Sequence, residues 1–285
     1  MRTTLWTAVL VAVTVCASLA QGACQMARCS INSGGGSASA GAYRLESSIG
    51  QSAAGFVKST SSLHWVGFWA GDIPTPILVG AIGAAKLLPD GAFVSIPGGI
   101  ATSAAGDFVD FLYVEQPDRS SGIRISMQPV GIEQLIRGSM VNAIGTLGVT
   151  SAGERQLTGP IVVVVSRQEP LMPLGMANKS LGGSDLGNPA TGLGQYGVSG
   201  GVGVNNVGLL VESWGQVTEV GSDYFVIDDG SSTPVRVDTV GMSDIPSPRD
   251  YITVVGISSL YKPGADRLRI ILPRTREDVG LSEKR

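Results

Sequence analysis

Histidine is almost missing from this sequence: His64 is its one copy. A serine nucleophile needs an imidazole beside it, and no G-x-S-x-G turn supplies the serine. Nucleophilic triads are therefore excluded, and so are metal sites built on histidine. Cysteine is scarce as well, with Cys16, Cys24 and Cys29 its only copies. Two cysteines left after a leader, with no histidine close by, cannot make a four-ligand zinc site. Aromatic residues are 6% of the chain and charged residues 15%. Few aromatics leave little for stacking nucleic-acid bases. The formal net charge is −3, and −4 once Arg2 leaves with the leader. Lys and Arg neutralising phosphates supply most non-specific nucleic-acid affinity, so an acidic chain does not draw in a polyanion over long range.

Long apolar runs are absent except at the start. Residues 1–22, MRTTLWTAVLVAVTVCASLAQG, place Arg2 before an apolar core, Leu5 to Val15, and a small-residue site at Ser18-Leu19-Ala20. This is the pattern of a secretory signal peptide, and it is too short for a span of about 20 residues. The mature chain is expected to be secreted or held in the cell envelope, with no transmembrane segment. In an oxidising compartment Cys24 and Cys29 are expected as a local disulfide. The alternative is a lipoprotein anchor at Cys24, against which Gln21, three positions ahead, is a poor match.

What the sequence does have is glycine, 40 residues of it, and strands. Residues 23–71 form a small Gly/Ser-rich β segment. Its Tyr43-Arg44-Leu45, Ile49-Gly50-Gln51 and Gly67-Phe68-Trp69 are similar to a short β-rich segment of secreted proteins from environmental bacteria. Trp65, Phe68 and Trp69 read as the core of that unit in preference to a sugar-stacking platform, and His64 as structural. Residues 72–79, with Pro74 and Pro76, read as a stiff linker. A short helical lead-in is expected within Ala81 to Pro89.

From Leu209 to Arg274 apolar and polar residues alternate, with Gly, Pro, Asp and Ser at each break. The pattern predicts five half-buried strands at about 209–220, 223–228, 234–240, 250–260 and 266–272. A similar unit precedes it. Ile123-Arg124-Ile125 corresponds to Val235-Arg236-Val237. Val141, Gly145, Gly153 and Leu157 match Ile252, Gly256, Gly264 and Leu268 with the same spacing. Two five-stranded β-barrels from one repeated unit account for this, over 80–166 and 207–276, with a Gly-rich connection at 167–206 and a C-terminal tail at 277–285. The connection is read as packed on the barrels, through anchors such as Leu174, Met176, Leu181, Leu193 and Tyr196, in preference to a free linker.

Both units resemble the OB fold, the oligonucleotide/oligosaccharide-binding barrel. The resemblance rests on Gly99 and Gly215 in a long, bent first strand, on the Ile227-Asp228-Asp229-Gly230-Ser231 turn, and on the Val-x-Gly patterns ending at Gly145 and Gly256. The fold class implied is mainly β: two tandem five-stranded OB-like barrels behind a signal peptide and a small β-rich segment. The helix usual between strands three and four fits 130–138, whereas 241–249 carries two prolines and is expected to be a loop.

No cofactor, metal or catalytic set is indicated. The carboxylates Asp107/Asp110, Glu115/Asp118 and Asp228/Asp229 could serve glycoside hydrolysis or calcium, but Asp in a turn normally binds the local backbone. Arg267 and Arg269 alternate along strand five and project from one face. With Arg236, Trp214 and the following Arg274 and Arg276 they make a candidate ligand groove; the competing reading is a solvated strand face. The expected function is a non-catalytic exported binding module, for a protein or a cell-surface glycan. The alternative is a single-stranded nucleic-acid binder using Trp214, Arg236, Arg267 and Arg269.

Overall fold

The computed structural model describes residues 75–126, 135–239, 242–243 and 245–283, together with the backbone of four earlier strands. Those four, β1 (Gly34–Ala40), β2 (Tyr43–Ile49), β3 (Gly55–Lys58) and β4 (Leu63–Val66), form two antiparallel pairs, β1–β2 and β3–β4. They belong to a unit that ends at Ile73, and Pro74–Arg285 form a second, larger one. The leader, the Cys24/Cys29 pair, and Phe68 and Trp69 lie outside the described residues.

The larger unit holds two closed barrels. Barrel 1 has β6 (Phe93–Ala101), β7 (Phe111–Glu115), β8 (Gly122–Ser126), β9 (Ser139–Val149) and β10 (Arg155–Arg167). The order is β6-β7-β8-β10-β9, and β9 returns to β6. Barrel 2 has β14 (Leu210–Val220), β15 (Tyr224–Asp228), β16 (Val235–Asp238), β17 (Tyr251–Tyr261) and β18 (Leu268–Leu272) in the same order, with β17 closing on β14. The third and fifth strands pair in parallel in each, which is the OB arrangement.

The residue pairs across the closing seam agree as well. Gly99 faces Val141 as Gly215 faces Ile252, and Val94 faces Gly145 as Val211 faces Gly256. A β-bulge between Ile96 and Gly99 gives barrel 1 one extra residue on its first strand. The expected glycines earn their place here: a Cβ on Gly215 would sit 2.8 Å from the Asp228 backbone, and one on Gly99 would run into Val114. The match of Leu157 with Leu268 does not hold. Leu157 faces Ile125 and is fully buried, whereas Ile271 faces Val237 and Leu268 is 44% exposed. The hairpin between β17 and β18 is longer, and it moves the core position along the strand.

Alternation builds each core. On β9 and β17 every second residue turns inward through most of the strand. Barrel 1 gathers Val94, Leu112, Val114, Ile123, Ile125 and Leu157. Barrel 2 gathers Val211, Phe225, Ile227, Val235, Val237 and Ile271 at matching places.

Each barrel is entered by a short strand laid parallel on its first strand. β5 (Ile77–Leu78) pairs at Val94, and β11 (Leu174–Gly175) pairs at Val211. The expected lead-in helix is α1 (Ile82–Lys86). The connection is packed: Asn178, Leu181, Gln195, Val198 and Asn206 are buried in it, and β12 (Leu186–Asn188) pairs with β13 (Leu193–Gln195). Residues expected as a C-terminal tail contain β19 (Val279–Glu283), paired with β17. The helix expected over 130–138 falls outside the described residues as far as 134. Residues 135–138 and the described part of 239–250 contain no helix.

Candidate ligand-binding faces

An OB barrel binds ligands on the outer face of strands two and three and on the adjoining loops. In barrel 1 that face is covered at Tyr113 and Glu115, while Phe111, Arg124 and Ser126 are half-buried. Tyr113 on β7 is fully buried in an apolar cluster with Leu210, Ile257, Ile270 and Leu272 of barrel 2. Phe108 and Phe111 stack at 4.6 Å beside it. The contact is apolar because β17 and β18 of barrel 2 carry aliphatic residues on their outer side.

Polar groups lock the same seam. Glu154, buried, accepts from the Tyr113 hydroxyl on both oxygens (2.9 Å) and from Ser259 Oγ of barrel 2 (2.7 Å). Glu115, also buried, accepts from the Leu210 amide and from Arg119. Lys86 Nζ donates to the Val207 carbonyl at 2.8 Å. Arg155 is buried among Asp90, the Leu88 and Gly192 carbonyls and the Lys86 carbonyl. Burial raises the pKa of Glu154 and Glu115, raises that of Tyr113 well above its usual range, and lowers that of Lys86 to about 8. Glu154, Glu115 and Lys86 join the two barrels, whereas Arg155 ties the lead-in of barrel 1 to the connection.

The corresponding face of barrel 2 is open to a greater degree. The Arg236 guanidinium lies 3.9 Å from the Tyr224 ring centroid and 4.5 Å from that of Tyr261. Its side chain is 18% exposed and reaches Asp223 at 3.5 Å. Tyr224 donates its hydroxyl to Glu219 at 2.5 Å. Barrel 1 has the same device at the matching position, with Arg124 3.5 Å from the Phe111 centroid. The Nε atoms of Arg124, Arg236 and Arg267 have no hydrogen-bond partner, as expected of guanidinium groups laid flat on rings.

The four expected ligand residues do not converge on one groove. Arg267 stacks on Tyr196 of the connection at 3.5 Å. Arg269 donates to the Lys179 carbonyl at 3.2 Å, and burial lowers its pKa. Both are turned onto the packed connection, which the strand pattern alone does not reveal. Arg274 is held by Asp278 and the Thr102 carbonyl, and Arg276 by the Val279 carbonyl. Trp214 lies elsewhere, 53% exposed, in a groove of about 380 Å³ with Met176, Glu212 and Thr253 and none of these arginines. A larger cleft, about 600 Å³, opens between the barrels at Phe108, Val109, Met242 and Arg276.

Of the paired carboxylates, Asp107, Asp118, Asp228 and Asp229 serve turns, whereas Glu115 is buried in the seam between the barrels. Asp107 accepts from the Ala104 amide and from Arg137, Asp118 from Ser120, Asp228 from the Gly230 amide, and Asp229 from Ser231 and Asn178. Among the described residues no three His, Cys, Asp or Glu side chains group so as to hold a metal ion. No helix of the described residues is long and apolar enough to cross a membrane. Sequence reasoning missed Arg124 and Tyr261, and named Tyr196 as an anchor of the connection without pairing it with Arg267. The matched Ile-Arg-Ile and Val-Arg-Val triplets were the signal for Arg124; nothing local marks Tyr261.

No protein-family model matches the chain, and no curated protein does. Among solved structures, a murine DNA-binding protein bound with double-stranded DNA is similar at 10% identity and a TM-score of 0.32, over 64% of this chain and 92% of that one. The HINa domain of Ifi202 in complex with a 20-bp double-stranded DNA is similar at 10% identity and a TM-score of 0.32, over 64% and 93%. A likeness this distant carries no inference about a ligand, and the barrels stand as OB-like on their own strand order and register.

Proposed function

We propose that the chain is a non-catalytic binding module in which the two barrels act as one unit and barrel 2 presents the ligand face. The observation that carries this is the burial of barrel 1's own face, with Tyr113 sealed against Leu210, Ile257, Ile270 and Leu272. That leaves Tyr224 and Arg236 on strands two and three, with Tyr261 from the end of strand four beside them, as the surface that meets a partner. The carboxylates of Glu219, Asp223, Asp228 and Asp238 are carried on and beside these strands, and one of them already pairs with Arg236. The acid balance supports a protein or a cell-surface glycan as the ligand over a polyanion.

A second reading, single-stranded nucleic acid, draws on one observation: a cation stacked between two tyrosines is a surface on which a base can also stack. Fluorescence anisotropy with labelled single-stranded DNA separates the two. The first reading expects no saturable binding even at about 50 mM salt, where phosphate contacts are strong. Binding that falls steeply toward about 200 mM salt and is lost in Arg236→Ala would install the second. We infer also that residues 1–22 direct export, supported by Arg2, the apolar core and Ser18-Leu19-Ala20. Mass spectrometry of the protein from expressing cells should find those residues removed, and an intact amino terminus would refute the inference.

A further inference from the structure

We propose that the groove beside Trp214 is a sugar subsite, in which a neutral pyranose ring lies on the indole and its hydroxyls meet Glu212 and the backbone of β11. The inference rests on the reading of this chain as a binding module, but it uses a different surface from the Tyr224–Arg236 face. Large aromatics are usually buried, yet Trp214 leaves 53% of its surface exposed. Trp214 and Glu212 stand two apart on β14, so both point outward on the same side. Thr253 of β17 lies directly opposite Trp214 in the register. A flat ring and a carboxylate thus share one groove of about 380 Å³, with Thr253 in its wall.

The lining chooses among ligands. It holds one carboxylate and no cation, so phosphates and acidic sugars are repelled. The Glu212 carboxylate takes no hydrogen bond from any described residue, which leaves its lone pairs for a ligand's hydroxyl donors. β11 forms the groove's rim and is the terminal strand of its sheet. Among the described residues, no further strand pairs with the backbone donors and acceptors on its outer side. Sugar hydroxyls both donate and accept, and can use such a rim. A lysine or arginine side chain from a protein only donates and would use Glu212 alone. The apolar C–H face of a pyranose covers the indole, while its equatorial hydroxyls reach sideways to the polar groups, which is the division of labour of a small-molecule site.

The test is titration of the full chain with cello-, chito- and malto-oligosaccharides, followed by calorimetry and tryptophan fluorescence. Saturable binding of at least one of the three is expected. It should weaken about tenfold or more in Trp214→Ala, a loss of about 1.4 kcal/mol, recover in part in Trp214→Tyr, and weaken in Glu212→Gln. Thermal melting of Trp214→Ala should match the parent, since the ring is half exposed. Arg236→Ala should bind sugar as the parent does, which keeps failure here distinct from failure of the barrel 2 face. Absence of binding to all three sugars overturns the proposal. So does binding that survives Trp214→Ala, or Trp214-dependent binding of a lysine-rich peptide in place of any sugar.

Discussion

Lys86→Met should change how the stability of this protein depends on pH. Lys86 is fully buried, with Nζ on the Val207 carbonyl and Glu154, Arg155 and Glu115 as its charged surroundings. Desolvation is the largest influence on it and holds its pKa at about 8 instead of 10.5. Below about pH 8 both folded and unfolded chains carry the proton, and the folded one bears the full cost of burying it. Between about 8 and 10.5 the folded chain has released the proton and the unfolded chain still binds it. Stability therefore rises with pH through that window, and the neutral amine still donates to Val207. The whole displacement is worth about 3 kcal/mol at ~1.4 kcal/mol per pH unit. From about pH 7 to about pH 9.5 the gain is about 2 kcal/mol. Methionine is close in volume and has no proton to lose, so the free-energy difference between parent and variant should climb by that amount. Tyr113, whose pKa burial raises above the ordinary 10.0, acts in the opposite sense at higher pH but is common to both proteins. Urea unfolding of the two proteins at matched ionic strength measures it. A difference that stays flat or falls between about pH 7 and about pH 9.5 would refute the reasoning.

Three further outcomes follow from contacts. Ser259→Ala removes the barrel 2 donor to buried Glu154 and should cost about 1.5–3 kcal/mol in urea unfolding, the range for hydrogen bonds to charged groups. Gly256→Ala should destabilise by about 1–3 kcal/mol, because its Cβ would meet Ile271 Cγ2 at 2.6 Å and the Leu272 carbonyl oxygen at 2.7 Å. Gly145→Ala, at the matching place in barrel 1, should cost less, since its nearest neighbour would be 3.1 Å away; equal melting temperatures would refute the comparison. Arg236→Lys replaces a flat guanidinium with a compact ammonium on the Tyr224 and Tyr261 rings. It should lower stability by about 0.5–1 kcal/mol and raise tyrosine exposure by ultraviolet difference spectroscopy.

The strand boundaries of barrel 2 were legible almost to the residue. Expectations of 209–220 and 250–260 became Leu210–Val220 and Tyr251–Tyr261, because a half-buried strand writes its two faces into alternate residues. The pairing of Val141 with Ile252 and of Gly145 with Gly256 was legible too, because closely packed seams admit few side chains. The pairing of Leu157 with Leu268 was not, since a longer turn slides a strand without disturbing its alternation. The connection was read as packed on its scattered large residues; which of them anchor it, and where, came only from the fold.

Alternation and glycine placement settled the fold class, because both are written in residues near one another along the chain, and the scarcity of histidine and cysteine excluded histidine-based triads and a four-ligand zinc site. The fate of the arginines was a tertiary matter. Arg236, Arg267 and Arg269 look alike in sequence, yet one lies on Tyr224 and Tyr261, one on Tyr196, and one on the Lys179 carbonyl. The burial of Tyr113 and the exposure of Trp214 were decided in the same way. Each depends on which outer face of one barrel meets the other, and outer faces carry no period that would announce their partner.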